Sequence, residues 1–409
     1  MRLLHKNDMQ KSVTSSLLFI LCVLLFTSCN GQESYQHSNV DKLKSRIGGP
    51  CETCELMYID MPEQIQATDT SAGWNDEGQK LLIIGTVYQQ NGKVPASGIL
   101  IYYWQTDSNG YYSSSENTNP DVKRHGDIRG WVKTDKNGKY AIYTNKPAAY
   151  PNRDSPAHIH ILVKEPQLKN EYYIDEFVFD DEPLLTTEKR KALENRGGSG
   201  VLRVLNDQNF QVAEKDIILG LNIPDYPQTK TAIQSGLQIG EDSPSFTPFH
   251  AWGPDKGSKA CPVCKYGRYQ GVLYFVGEHP EWDEIKNWLV FLEKESVNRG
   301  KYLKVYFIYG NEENYKKEKR FAELENIGKE LKLQNLALTF VPSFNDRESD
   351  VYLNKINPLV ENTFILYRYR TIIDKYINLK PTEENFQLIT TSLDNHKRIY
   401  FQLPEPKFE

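Results

Sequence analysis

The sequence predicts an all-β sandwich followed by a smaller α/β domain, and three observations lead there. From about residue 80 to 224 the chain is a series of short runs rich in β-branched and aromatic residues: QKLLIIGTVY, GILIYYW, KYAIYT, AHIHILV, YYIDEFVF and VLRVL. Such side chains suit a pleated, half-buried surface. Asn91-Gly92, Asn109-Gly110 and Asn137-Gly138 lie between them, and Asn-Gly between apolar runs predicts hairpins. Many short strands with turns every 8–12 residues or so predict a sandwich. The second observation is a change of grammar after the polar stretch 226–248. GVLYFV, KVYFIYG, ALTFV and NTFILYRYR read as strands, while EWDEIKNWLVFLEKES and NYKKEKRFAELENIGKELK place apolar residues at helical spacing. Strands alternating with helices predict an α/β domain. Third, 409 residues is long for a single core. A net charge of −5 without long single-sign blocks argues against a nucleic-acid binder.

The N-terminus reads as an export signal. Arg2, Lys6 and Lys11 precede the apolar run LLFILCVLLF at 17–26. A bilayer needs about 20 such residues, so this run is too short to span one and fits a signal h-region. TSC follows, with small residues before Cys29. The pattern resembles a bacterial lipoprotein signal, apart from Phe26, where such signals usually carry leucine. It implies cleavage at Cys29, acylation of that cysteine and a protein tethered to a membrane of the bacterial envelope, periplasmic or at the cell surface. GQESYQHSN then reads as a polar tether. The expected divisions are 1–28 signal, 29–48 tether, 49–225 sandwich, 226–248 linker and 249–409 α/β domain. Of six cysteines, Cys22 leaves with the signal. The pairs Cys51/Cys54 and Cys261/Cys264 are expected to be disulfides in an exported protein.

Two of only eight histidines, His158 and His160, sit in AAYPNRDSPAHIHILVK. Alternate residues of a strand share a face. Both imidazoles therefore project together, while Ala157, Ile159 and Ile161 face a core. Two such side chains can converge on one metal ion. Tyr150, eight residues upstream, offers a phenolate, a hard oxygen donor suited to Fe(III).

WQTDSNGYY, GWVKTDKNGKY, AYP and PAHIH together resemble the intradiol ring-cleavage dioxygenases, over roughly residues 48–224. GGPCETCE is similar to the opening of the exported, single-subunit branch. The resemblance implies a β-sandwich enzyme with non-haem Fe(III) held by two tyrosines and two histidines, which cleaves a catechol between its hydroxylated carbons. In the family an aromatic residue precedes the first tyrosine ligand by eight positions, so Trp104 selects Tyr112 over Tyr111. The remaining ligands are then Tyr150, His158 and His160. Tyr150 and His160 would be axial, and Tyr112 and His158 equatorial with a hydroxide. The implied mechanism is substrate activation. The catechol binds as a dianion, its protons pass to the hydroxide and to Tyr150, O₂ attacks the ring carbon, and a cis,cis-muconate-type diacid results.

The family's arginine directly before Pro-Ala-His-x-His is Ser155 here. Arg153 is the nearest guanidinium and is expected either to take its place beside the substrate or to pair with Asp154 or another carboxylate. His125 and Arg129, in RHGDIRGW, are expected to brace their loop more than to line the pocket. The C-terminal pattern resembles the thioredoxin-like superfamily. Its cysteine pair, however, precedes GVLYFV instead of following it, so Cys261 and Cys264 read as a structural disulfide or metal clip and not as a working redox site. A non-catalytic sandwich binding aromatic or carbohydrate ligands, and a thiol-redox protein acting through the second domain, are the alternative functions.

Overall fold

The computed structural model describes residues 46–227, 233–313, 315–397 and 403–404. The signal, Cys29 and most of the tether lie outside the described residues. The end of the tether is fixed, not free. Arg46 pairs with Glu171 at 2.6 Å, and the Gly48 N–H donates to the Pro224 carbonyl at 2.8 Å.

The first part of the chain folds into β1 (Thr68–Thr70), β2 (Lys80–Tyr88), β3 (Leu100–Gln105), β4 (Arg129–Lys133), β5 (Lys139–Asn145), β6 (His158–Lys164), β7 (Tyr172–Tyr173), β8 (Phe177–Phe179), the helix α1 (Thr187–Lys191), β9 (Val201–Leu202), β10 (Val204–Asp207), β11 (Phe210–Glu214) and β12 (Ile217–Ile218). One sheet runs β1-β5-β2-β11-β10, with β12 also on β2; the other runs β4-β3-β6-β8-β9, with β7 also on β6. Leu81, Ile83, Ile142 and Ala213 of the first meet Ile101, Tyr103, Ile159, Ile161 and Val163 of the second in one buried cluster. This is the predicted sandwich.

The Asn-Gly pairs do not make the predicted simple hairpins. Asn91-Gly92 and Asn137-Gly138 are tight turns, but each carries the chain from one sheet to the other, since β2 pairs with β5 and β3 with β4. The residue type supplies the positive φ a tight turn needs; it does not choose the strand's partner. Asn109-Gly110 opens a long excursion between β3 and β4. Two predicted single strands are interrupted: YYIDEFVF into β7 and β8 around Asp175 and Glu176, and VLRVL at Arg203.

The second part contains β13 (Phe249–Trp252), α2 (Pro262–Tyr266), β14 (Gln270–Val276), α3 (Trp282–Arg299), β15 (Leu303–Gly310), α4 (Lys317–Glu330), β16 (Ala337–Val341), β17 (Thr363–Arg368), β18 (Thr371–Ile377) and α5 (Glu383–Asn395). Its sheet order is β13-β16-β15-β14-β17-β18, with β14, β15 and β16 parallel. Every residue of β14 is buried, as expected of a parallel strand covered on both faces. Ile285, Trp288, Leu289 and Leu292 give α3 one apolar stripe against this sheet. Cys261 and Cys264 form a disulfide, and Cys261 caps α2 ahead of β14.

The described part of the expected linker is packed. Leu237 and Phe246 are buried, Gly240 N–H donates to Ile372 O at 2.8 Å, and Ser199 N–H donates to Gly240 O at 2.7 Å. Arg190 reaches Asp242 at 3.3 Å and Lys93 reaches Asp374 at 2.8 Å. Apolar residues set singly among polar ones hid this docking from the composition.

Lys215, 4% exposed, donates from Nζ to the Ser199 carbonyl. Burial lowers its ammonium from 10.5 to about 8, with Asp175, Asp216 and Asp242 pulling the other way. Between these values the unfolded chain holds the proton and the folded chain does not, so stability rises with pH across that window. Urea melts are expected to show the wild type gaining up to roughly 3 kcal/mol on Lys215→Met between pH 8 and 10.5. A pH-independent difference would count against a buried lysine here.

Candidate metal centre

The centre is built on one cross-strand pair and two loops. In β6, Ile159, Ile161 and Val163 enter the sandwich core, so His158 and His160 emerge on the outer face. Across the β3–β6 ladder Trp104 lies opposite His160, and their rings stack at 4.7 Å and 17°. The loop after β3 is shaped by Asp107, whose Oδ1 accepts from Asn109 N–H at 2.8 Å and Tyr111 N–H at 3.0 Å. Its Gly110 has φ +84, and a Cβ there would stand 2.2 Å from Ala149 O. Glycine thus permits the close approach of the loops that carry Tyr112 and Tyr150. Thr106 Oγ1 donates to Ala148 O at 2.8 Å and clamps the same two segments.

The result is a compact donor set. Tyr112 Oη lies 2.5 Å from Tyr150 Oη and 2.8 Å from His160 Nε2; Tyr150 Oη lies 3.1 Å from His158 Nε2 and 3.5 Å from His160 Nε2. Donors about 2.1 Å from a shared ion stand about 3 Å apart when at right angles. The two imidazoles present the same nitrogen for a clear reason. His158 Nδ1–H donates to the Pro156 carbonyl at 2.7 Å, and His160 Nδ1–H to Glu176 Oε1 at 2.9 Å. Both Nε2 lone pairs therefore face the phenols. Two imidazoles and two hard phenolic oxygens fit ferric iron.

Burial, then Tyr150's hydrogen bond, push the Tyr112 phenol well above its usual range; burial raises Tyr150 too. A trivalent ion is the counter-charge that would favour both phenolates. Burial lowers the His158 imidazolium, with Glu176 pulling the other way. Burial alone would raise the Glu176 carboxyl, but its hydrogen bond from His160 and the two imidazoles outweigh that and lower it.

All four predicted ligands are brought together, and Tyr111, 59% exposed, points to solvent, which favours Tyr112 in that role. Arg153 is exposed, its guanidinium 5.5 Å from the centre of the Tyr150 ring. Asp154 pairs instead with Lys189 at 2.7 Å. Arg129 braces its loop, donating to Ile59 O at 3.0 Å and pairing with Asp60 at 2.9 Å. His125 is buried, with Nδ1 2.8 Å from Tyr102 Oη and its ring stacked on Trp104 at 4.1 Å. Glu176 is hidden in the sequence because YYIDEFVF reads as a single strand; the acidic pair interrupting its apolar run is the available signal.

The geometry defines a β-sandwich with a four-donor centre on its outer face. Residues 57–196 match the family model described as Dioxygenase. Catechol 1,2-dioxygenase 1 of Acinetobacter lwoffii is 27% identical over 150 residues, covering 31% of this chain and 47% of that protein. Chlorocatechol 1,2-dioxygenase of Pseudomonas sp. strain P51 is 31% identical over 120 residues, covering 25% and 46%. Hydroxyquinol 1,2-dioxygenase from Pseudomonas putida DLL-E4 aligns as a structure with 20% identity and a TM-score of 0.31, over 45% of this chain and 71% of that one. The chain thus spans less than half the length of the curated relatives it matches. The likeness lies in the sandwich, whose residues 57–196 match the dioxygenase model and align with catechol and chlorocatechol 1,2-dioxygenases.

Burial lowers the His125 imidazolium to about 3, helped by His160, Arg129 and Arg124. The unfolded chain binds this proton near pH 6.5. Stability is therefore fully present above that pH and falls toward pH 3, with a slope of about 1.4 kcal/mol per pH unit from this group. His125→Gln is expected to flatten that acid limb in denaturant melts; an unchanged limb would refute a neutral, buried His125.

Proposed function

We propose that the sandwich is an Fe(III) dioxygenase that opens a catechol-type ring between its hydroxylated carbons with O₂, giving a cis,cis-muconate-type diacid. The observation that carries this reading is the convergence of Tyr112, Tyr150, His158 and His160 donors within 3.5 Å along the contacts above. The matched relatives, catechol and chlorocatechol 1,2-dioxygenases by name, support it. When bound, ferric iron supplies the Lewis acidity that holds a catecholate and makes its ring reactive toward O₂. The chain's residues do the rest. Tyr112, His158 and His160 hold their donor atoms fixed. Tyr150 Oη is the proton acceptor for the incoming catechol. Arg153, beside the Tyr150 ring and without a carboxylate at ion-pair distance among the described residues, offers positive charge in the place of the arginine absent at Ser155.

Two further assignments belong to this proposal. The order β15-β14-β17-β18, with α3 and α5 as its crossover and terminal helices, supports a thioredoxin-like second domain whose Cys261–Cys264 disulfide is structural. Export and lipidation at Cys29 rest on the sequence pattern LFTSC.

Purified protein loaded with iron is expected to be red-brown from phenolate-to-iron charge transfer and to take up O₂ when given catechols. Colourless protein that binds zinc in preference to iron would overturn the assignment, and coloured protein inert to a range of substituted catechols would leave only a binding function. His160→Ala should lose most of the metal. Arg153→Ala should keep the colour and lose about 10²-fold in turnover. Arg153→Lys should recover only part, because an ammonium lacks the planar fork. Wild-type turnover in Arg153→Ala would place the positive charge elsewhere.

A further inference from the structure

The outer face of the β3–β6 ladder is covered by residues 51–58. The Cys51–Cys54 disulfide closes this segment, and a 3₁₀ turn over Cys54–Tyr58 lays Cys54 and Met57 on Tyr102, Trp104 and Leu162. Trp131 Nε1 donates to Met57 O at 2.7 Å and Tyr173 Oη to Glu52 O at 2.7 Å, so the clip is tied down at both ends. Thr53 lies inside the clip at φ 66, a conformation unusual for a β-branched residue. The disulfide bridges the residues on either side of it. From there Thr53 Oγ1 meets His125 Nε2 at 3.1 Å.

His125 is the first plate of a stack. Its ring lies 4.1 Å from Trp104 at 9°, and Trp104 lies 4.7 Å from His160 at 17°. The two ring nitrogens of His125 are both engaged, Nδ1 with Tyr102 and Nε2 with Thr53, so its plane is fixed from two directions. A donor imidazole must keep its Nε2 lone pair aimed at the ion, and outer contacts set that aim. Glu176 holds the edge of His160, but its own side chain is 47% exposed, and it fixes the ring less firmly than a buried partner does. The face of the ring is fixed by Trp104, which is 4% exposed.

We propose that the Cys51–Cys54 clip is a positioning element of the metal centre. It holds Thr53, Thr53 and His125 set the plane of Trp104, and Trp104 sets the plane of His160. The inference rests on reading the four donors as an iron centre and adds a control on it from outside the sandwich.

The test uses full-length, iron-loaded protein and two readouts other than turnover: the charge-transfer band and the rate of iron loss to excess EDTA. Thr53→Val keeps the side-chain shape and removes the hydroxyl; Thr53→Ser restores a hydroxyl. Thr53→Val and the double variant Cys51→Ala/Cys54→Ala should shift the band and speed iron loss about 10-fold. Thr53→Ser and the control Cys261→Ala/Cys264→Ala should match the wild type. A wild-type band and wild-type iron loss in Thr53→Val overturn the proposal. Should the Cys51/Cys54 double variant fail to fold, the comparison of valine with serine at position 53 decides alone. If the wild type holds iron and Thr53→Val is unchanged, only the clip is refuted. If the wild type holds none, the iron reading fails and this inference falls with it.

Discussion

Strand β6 has to serve two layers at once, and the rest of the site follows from that constraint. Ile159, Ile161 and Val163 are wholly buried between the sheets, so the intervening positions have no choice of side. A slip of one residue would send both histidines into the apolar core and three aliphatic side chains out of it. The core therefore fixes the register, and the register aims His158 and His160. The candidate metal centre depends on ordinary hydrophobic packing behind it as much as on its own four donors.

Two imidazoles side by side on one outer face, their rings nearly perpendicular at 87°, are half a site. The other half is delivered by loops, which owe their precision to backbone contacts. Asp107 organises the turn that carries Tyr112, and Gly110 lets that turn lie directly against Ala149. Thr106 Oγ1 clamps Ala148, two residues before Tyr150. Strand β6 supplies the nitrogens and clamped loops supply the oxygens. Pro156 and Glu176 complete the arrangement by taking the Nδ1 protons.

The second domain shares no residue with this centre. It docks through a segment that composition alone suggested was free. Ion pairs such as Arg190–Asp242 and Lys93–Asp374, together with main-chain bonds from 240 to both Ser199 and Ile372, bind the two folds along one seam. Its cysteine pair sits ahead of β14, at the edge of an apolar cluster, as a local clip on a short helix.

What the sequence determined by itself was whatever depends on local period and residue chemistry. Alternation in AHIHILV named both histidines and the face opposite them. Helical spacing in EWDEIKNWLVFLEKES marked α3. The resemblance to the intradiol dioxygenases singled out Tyr112 over Tyr111, residue type and the Tyr-Pro step pointed to Tyr150, and the two cysteine pairs stood out by their spacing. Tertiary structure alone decided the pairings. Asn-Gly steps marked turns, yet only the packed sandwich sent the chain at Asn91 and Asn137 across to the opposite sheet. Glu176 became a partner of His160 because β7 and β8 break apart around it. The stack of His125 on Trp104 on His160 joins a loop, β3 and β6, three pieces of chain with no shared period, and Thr53 meets it from an N-terminal clip. Contacts of that kind are set by which surfaces must be covered once the sheets have formed, and no local pattern in the sequence records them.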